Sequence, residues 1–191
     1  MPLRTWSHYL KKHLFKNQGG FFELPYISNS PQLMVESIAA IPVFNHRPGE
    51  QEIFTDNTYA TGSMRYQKVE DGLWVLGTNL HVKQNIVSTA VYDKNIDSDY
   101  YFLSFAVFKY IFPLDEIHQQ TATLISTTCT FHKPNTEVNS FFYKGSRGRF
   151  FNIAFSKEWA LKHLRIQGEI LQEVEQYLDG ETGFLNWIDI V

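Results

Sequence analysis

Apolar and polar positions alternate along one long stretch of the chain and follow helical spacing on either side of it. In residues 3–15, LRTWSHYLKKHLF, Trp6, Tyr9, Leu10, His13 and Leu14 fall at helical spacing, and NQGG ends the run. A short amphipathic helix or an ordered arm is predicted there. Phe21 to Glu52 is mixed. Its prolines at 25, 31, 42 and 48 predict loops and short strands rather than one long element. From Ile53 the pattern is that of serial strands. SMRYQKV and LWVLGTNLHV flank Asp71-Gly72, a strong hairpin signal. IVSTAVY, YYFLSFAVFKYIF, ATLISTTCTF, EVNSFFY and FFNIAF follow, separated by polar or glycine-bearing turns.

The period changes inside RFFNIAFSKEWALKHL, residues 149–164, where Phe151, Ile153 and Phe155 share one side of a predicted strand. Ser156 can cap a helix by accepting from a first-turn N–H, and Glu158 sits near the positive end of the helix dipole. Leu164, Leu171 and Leu178 recur every seven residues, with Ala160, Gln167 and Val174 four positions before them. Two readings of this helix stand side by side: a dimer seam through Leu164, Leu171, Val174 and Leu178, or a helix packed on its own barrel. Gly168 lowers helix propensity by about 1 kcal/mol relative to Ala without forbidding the helix. DGETG ends it, and the apolar FLNWIDIV stops abruptly, as if the chain were meant to continue.

The expected fold is therefore mainly β, a sandwich, barrel or jelly roll followed by C-terminal helices. The expected division is an N-terminal arm or short helix over 1–30, a barrel over 31–155 and a helical segment over 156–191. A chain of 191 residues can bury its own core without a disulfide or metal staple.

Composition narrows the function. The 16 Phe and 10 Tyr can fill a core or line a pocket for a flat organic ligand. The net charge of −3 argues against DNA or RNA binding by this chain alone, since such binders are usually basic. The single cysteine, Cys129, cannot form an intramolecular disulfide and suits a reducing compartment. It lies in an apolar run, as a small buried hydrophobe does, rather than in a nucleophile's setting. No apolar run is long enough to span a bilayer. The expected location is cytoplasmic, with no membrane partner.

The seven histidines, at 8, 13, 46, 81, 118, 132 and 163, form no HxH, HExxH or Cys/His cluster. His81 and His132 lie in or beside strands and could meet inside a barrel. No metal or other cofactor is expected. Nor is there a GxSxG nucleophile elbow. Glu70-Asp71 reads as a solvated hairpin tip, and KGSRGR as a hairpin turn lacking a P-loop's strand–loop–helix frame. What remains is a pocket, for which Tyr66, Trp74, Thr78, Tyr101, Phe105, Phe131 and His132 are candidate lining residues. Alternation splits strand residues between two faces without saying which face is inward, and ordinary core packing competes for each of them.

HKPNTEVNSFFYKGSRGRFFNIAFSKEWALKHL, residues 132–164, resembles the end of the N-terminal regulatory domain of AraC-type transcription regulators, particularly those of Bacteroidetes. The resemblance rests on Pro134, Phe141 to Tyr143, Lys144-Gly145, Ile153, Phe155-Ser156 and Glu158-Trp159. DGLWVL and DYYFLSF are similar to upstream strands of that domain, more loosely, so the likeness covers roughly residues 60–165. It implies a cupin-like barrel that binds a small effector, helices that dimerise it, and a C-terminal pair of helix-turn-helix motifs. No recognition-helix pattern occurs within this chain, which departs from the family there, and no catalytic or metal residue carries over. The expectation is a ligand-sensing and dimerisation domain, not an enzyme. It would have a small-molecule effector and a homodimeric partner, and would reach DNA only through a domain absent from this chain. The alternatives are a stand-alone cupin-like enzyme of the sugar isomerase or epimerase type and a barrel serving only as an oligomerisation scaffold.

Overall fold

The alternating runs fold as strands wherever turn residues bound them. The structure is a computed structural model that describes residues 3–115, 120–163, 172, 176–180 and 183–190. It is mainly β, with two curled sheets in a barrel- or jelly-roll-like arrangement and a few helices. The smaller sheet has the order β1 (Asn17–Gln18), β2 (Phe21–Ile27), β7 (Ile86–Val91), β10 (Asn139–Phe142). The larger has the order β12 (Phe184–Ile190), β9 (Gln120–His132), β8 (Tyr100–Asp115), β11 (Arg147–Ser156), β6 (Leu73–Val82), β5 (Ala60–Glu70), β4 (Glu52–Asp56), β3 (Asn45–Arg47). The pairings are antiparallel except β2 with β7.

The Asp71-Gly72 turn joins β5 to β6 as its sequence predicts, with Gly72 at φ +82°. A second feature ties the sheets together. β6 runs into β7, and β10 into β11, through a shared corner at 83–85 and 143–146. There Gly145, at φ +87°, donates its N–H to the Val82 carbonyl at 2.7 Å, and Val82 donates to Ser146 at 2.9 Å.

Three parts of the expected layout are corrected. The barrel does not begin at residue 31, because β2 already pairs with β7. The proline-marked stretch holds a helix, α2 (Pro31–Ala39), besides loops and short strands. Ser30 caps it, accepting from Leu33 N at 3.2 Å, and Pro31 occupies the first turn, where its missing N–H costs nothing. The segment 156–191 is not helical to its end, since β12 pairs with β9 from Phe184 to Ile190 and adds a strand to the barrel wall.

The N-terminal helix, α1 (Leu3–His13), is present. Trp6 is 1% exposed and packs with Leu10 against Ile27 and Ile41, and its indole N–H donates to the Ser37 carbonyl at 3.2 Å. At the far end of β11 the helix α3 (Lys157–His163) starts as expected, with the Ser156 hydroxyl accepting from Trp159 N at 3.1 Å. Leu164, Leu171 and Val174 of the expected seam lie outside the described residues. Leu178 is 7% exposed and packs with Tyr101 and Ala160 of its own chain, so the home barrel already occupies it. Among the described residues no helix is long and apolar enough to cross a membrane.

Candidate functional site

Strand alternation assigns two faces to every long strand of the larger sheet. On β6, β8, β9 and β11 the even-numbered residues face the smaller sheet. Between the sheets lies a cavity of about 620 Å³, within the usual range for a small-molecule pocket. One end is closed by the rings of Phe108, Phe142 and Phe150. Phe108 lies 4.5 Å from Phe150 and 5.3 Å from Phe142, centroid to centroid. Gly148 makes room for this group, since a Cβ there would meet the Phe108 ring at 2.2 Å. The other end is walled by Met34 of α2, Ile53, Met64 and Phe102. Several lining residues are also exposed, among them Asn79, Asn139, Ser140, Asn186 and Ile188, so the cavity opens to solvent.

The wall between these apolar ends is polar. Asn152 on β11, Ser104 on β8, Thr130 on β9 and Asn186 on β12 are cross-strand partners in one continuous rung, and all four line the cavity. The Ser104 hydroxyl bonds the Asn152 side-chain oxygen. The Thr130 hydroxyl sits 3.1 Å from His132 Nε2. Ser126 and Thr128 continue the hydroxyl row along β9. The described lining includes no Asp, Glu or Arg. Its one lysine, Lys133, is engaged at Tyr177, whose carbonyl accepts its ammonium and whose ring centroid lies 3.7 Å away.

Of the seven candidate lining residues, Thr78 and His132 border this cavity. Tyr66 and Trp74 face the same way but pack against the core around Leu76, with the Tyr66 hydroxyl 2.6 Å from His46 Nε2. Tyr101, Phe105 and Phe131 carry odd numbers and lie on the opposite face. Tyr101 is buried against Ala160 and Leu178, between the rings of Phe131 and Phe155, and donates to the Leu178 carbonyl at 2.7 Å. Phe105 is 44% exposed. The rung residues Ser104, Thr130, Asn152 and Asn186 were not anticipated. Parity with His132 along β9 finds Thr130, and the other three follow only from the cross-strand register.

Burial pushes the His132 imidazole down from its ordinary 6.5 to about 4. The folded state therefore resists a proton that the unfolded chain accepts. Stability from this group is intact above pH 6.5 and is lost as pH falls toward about 4. The loss amounts to at most about 3 kcal/mol. Urea titrations across this window should give a declining free energy of unfolding for the native chain and a flatter profile for His132→Gln. Equal slopes for the two proteins would refute this account.

The cavity wall runs directly into a helix. β11 carries Asn152 and Ala154 inward, and Ser156, two residues on, caps α3. The β5–β6 hairpin tip closes over that junction. Gly72 accepts from Ser156 N at 2.8 Å, and the Trp159 indole N–H donates to Glu70 at 2.7 Å. Glu70 is exposed at the hairpin tip, as expected, and anchors α3 from there through Trp159. A side chain at position 72 would collide with Ser156 Oγ at 2.6 Å and Trp159 Cβ at 2.8 Å, so the close approach requires glycine.

Among the described residues no group of three or more His, Cys, Asp or Glu side chains could hold a metal ion. Cys129 lies on the outer face of β9, half-buried, opposite Phe105 in register. No family model matches the chain, and neither a curated protein nor a solved structure matches it.

Proposed function

We propose that this chain is a small-molecule-sensing domain in which an effector bound between the sheets alters the seating of α3. One observation carries the reading: β11 lines the cavity at Asn152 and continues without a loop into the cap of α3 at Ser156. A ligand touching Asn152 acts four residues from the helix start. It can shift that helix only if it binds two arrangements with different affinity. The latch of Glu70 and Gly72 onto the junction supplies an element with something to gain or lose.

The wider role follows the resemblance of residues 132–164 to AraC-type regulators. In that role the domain is cytoplasmic, binds and does not catalyse, dimerises, and controls a helix-turn-helix domain carried elsewhere in the protein. Dimerisation would rest on Leu164, Leu171 and Val174, since Leu178 is committed to its own chain. The cavity offers hydroxyls and amides where an isomerase would place a carboxylate pair or metal ligands, which favours binding over the enzyme alternative.

Protein purified under native conditions and sprayed intact into a mass spectrometer should carry a small molecule, and hydrogen exchange in 157–163 should differ between loaded and stripped forms. Loading without any change in α3 would remove the sensing role. A natural reading frame with no helix-turn-helix after Val191 would remove the regulator role.

A further inference from the structure

The chemistry of the cavity wall restricts what can occupy it, given the reading above that the cavity is a ligand site. Its volume of about 620 Å³ corresponds to the liquid share of roughly 20 water molecules. Both ends are apolar: aromatic around Phe108, aliphatic around Met34 and Met64. Asn152, Ser104, Thr130 and Asn186 form one continuous polar rung across β8, β9, β11 and β12, and Ser88 on β7 and Asn139 and Ser140 on β10 add polar groups from the smaller sheet. They are side-chain amides and hydroxyls, which donate and accept but carry no charge.

We propose that the cavity selects an uncharged, largely apolar molecule bearing hydroxyl, carbonyl or amide groups, with at least one of these laid on the Asn152–Ser104–Thr130–Asn186 rung. A carboxylate would meet no cation in the described lining, because Lys133 is held at the Tyr177 carbonyl and ring. An ammonium would meet no carboxylate there. Either charge would be desolvated without a partner, which is far costlier than burying a hydroxyl that finds one. His132 does not change this, since burial keeps it neutral at physiological pH. Dry hydrocarbon is disfavoured too, because it would strip water from the rung and return no hydrogen bond.

Five probes sharing one phenylbutyl skeleton separate these cases: phenylbutanol, phenylbutanamide, phenylbutanoate, phenylbutylamine and butylbenzene. Their affinities for the whole chain are measured by titration calorimetry at neutral pH. The alcohol and the amide are expected to bind at least about tenfold tighter than the carboxylate and the amine. Thr130→Val, equal in shape, should weaken the alcohol and amide by about fivefold to tenfold while leaving butylbenzene unchanged or tighter. Ser104→Ala serves as a second variant with the same expected pattern should Thr130→Val fold poorly. Equal affinity for all five, or tightest binding of a charged probe, overturns the ligand class while leaving the cavity a binding site. Selectivity for the neutral probes that survives the variants overturns the rung as its cause. Failure of every probe to bind overturns the ligand site itself, and this proposal with it.

Discussion

Asn29→Ala is expected to lower the stability of the chain by roughly 3 kcal/mol, and its melting temperature by about 6–12 °C. Asn29 is fully buried, at 0% exposure, where β2 gives way to α2. Its side-chain nitrogen donates to the carbonyls of Asp93 at 2.9 Å and Ile96 at 3.0 Å, and its side-chain oxygen accepts from Asp93 N at 2.9 Å. One amide thus organises much of the loop between β7 and β8, across more than sixty residues of chain. Truncation removes a hydrogen bond from three backbone groups, of which the Asp93 carbonyl keeps its bond from Ile96 N, in a place where water cannot readily replace the amide. Asn29→Asp keeps an acceptor for Asp93 N but turns its other carboxylate oxygen toward two carbonyls, so it should be no better tolerated. Thermal melts read the effect, and hydrogen exchange over 93–98 locates it. A shift under about 0.5 kcal/mol, the size of an ordinary surface change, would refute the structural role.

Gly62→Ala is expected to cost a similar amount for a different reason. A Cβ at Gly62 would stand 2.3 Å from the backbone oxygen of Asn79 and 3.1 Å from the Leu80 Cα on the neighbouring strand. Backbone cannot swing aside as a side-chain tip can, so β5 and β6 must part locally, at a cost of roughly 3 kcal/mol. Gly77, on β6, supplies the control, because a Cβ there meets nothing within 4 Å. Gly77→Ala should be neutral or stabilise by about 0.5 kcal/mol through the unfolded chain. Equal costs at the two positions, measured in urea, would contradict the steric account.

Much of the β architecture was legible because each strand announces itself. Asp71-Gly72 is a turn whatever surrounds it, and the alternation in 149–155 marks a strand. The face was not legible. Phe151, Ile153 and Phe155 share a side, but it is the outside: Phe151 is 46% exposed, and the cavity receives Phe150 and Asn152 instead. Large aromatics lie on both faces of β8 and β11, so hydrophobicity could not vote, and an error of one residue inverts every assignment. Tyr101, Phe105 and Phe131 were misplaced together for that one reason. Tyr66 and Trp74 point inward, yet depth decides between core and cavity, and depth is set by strands distant in sequence. The helix α2 hid behind its proline, although Ser30-Pro31 is itself a helix-start signature. β12 was not read as a strand because its partner, β9, lies far back in the sequence and leaves no local signal beside it.

The strand order has a consequence for how the molecule is made. β11 lies between β6 and β8, yet it is synthesised after both, and β12 is later still. While the chain emerges, β6 and β8 each present an open hydrogen-bonding edge where their eventual neighbour is missing. The hairpin of β8 and β9 can form alone, but the wall that bears the polar rung does not exist until Asn152 threads between two waiting strands. Pairings this remote in sequence place the chain among slow folders, on the scale of milliseconds to seconds. In that interval the open edges are exposed to other chains. Pausing of synthesis once β8 and β9 have emerged but β11 has not should therefore be the moment of greatest risk for aggregation.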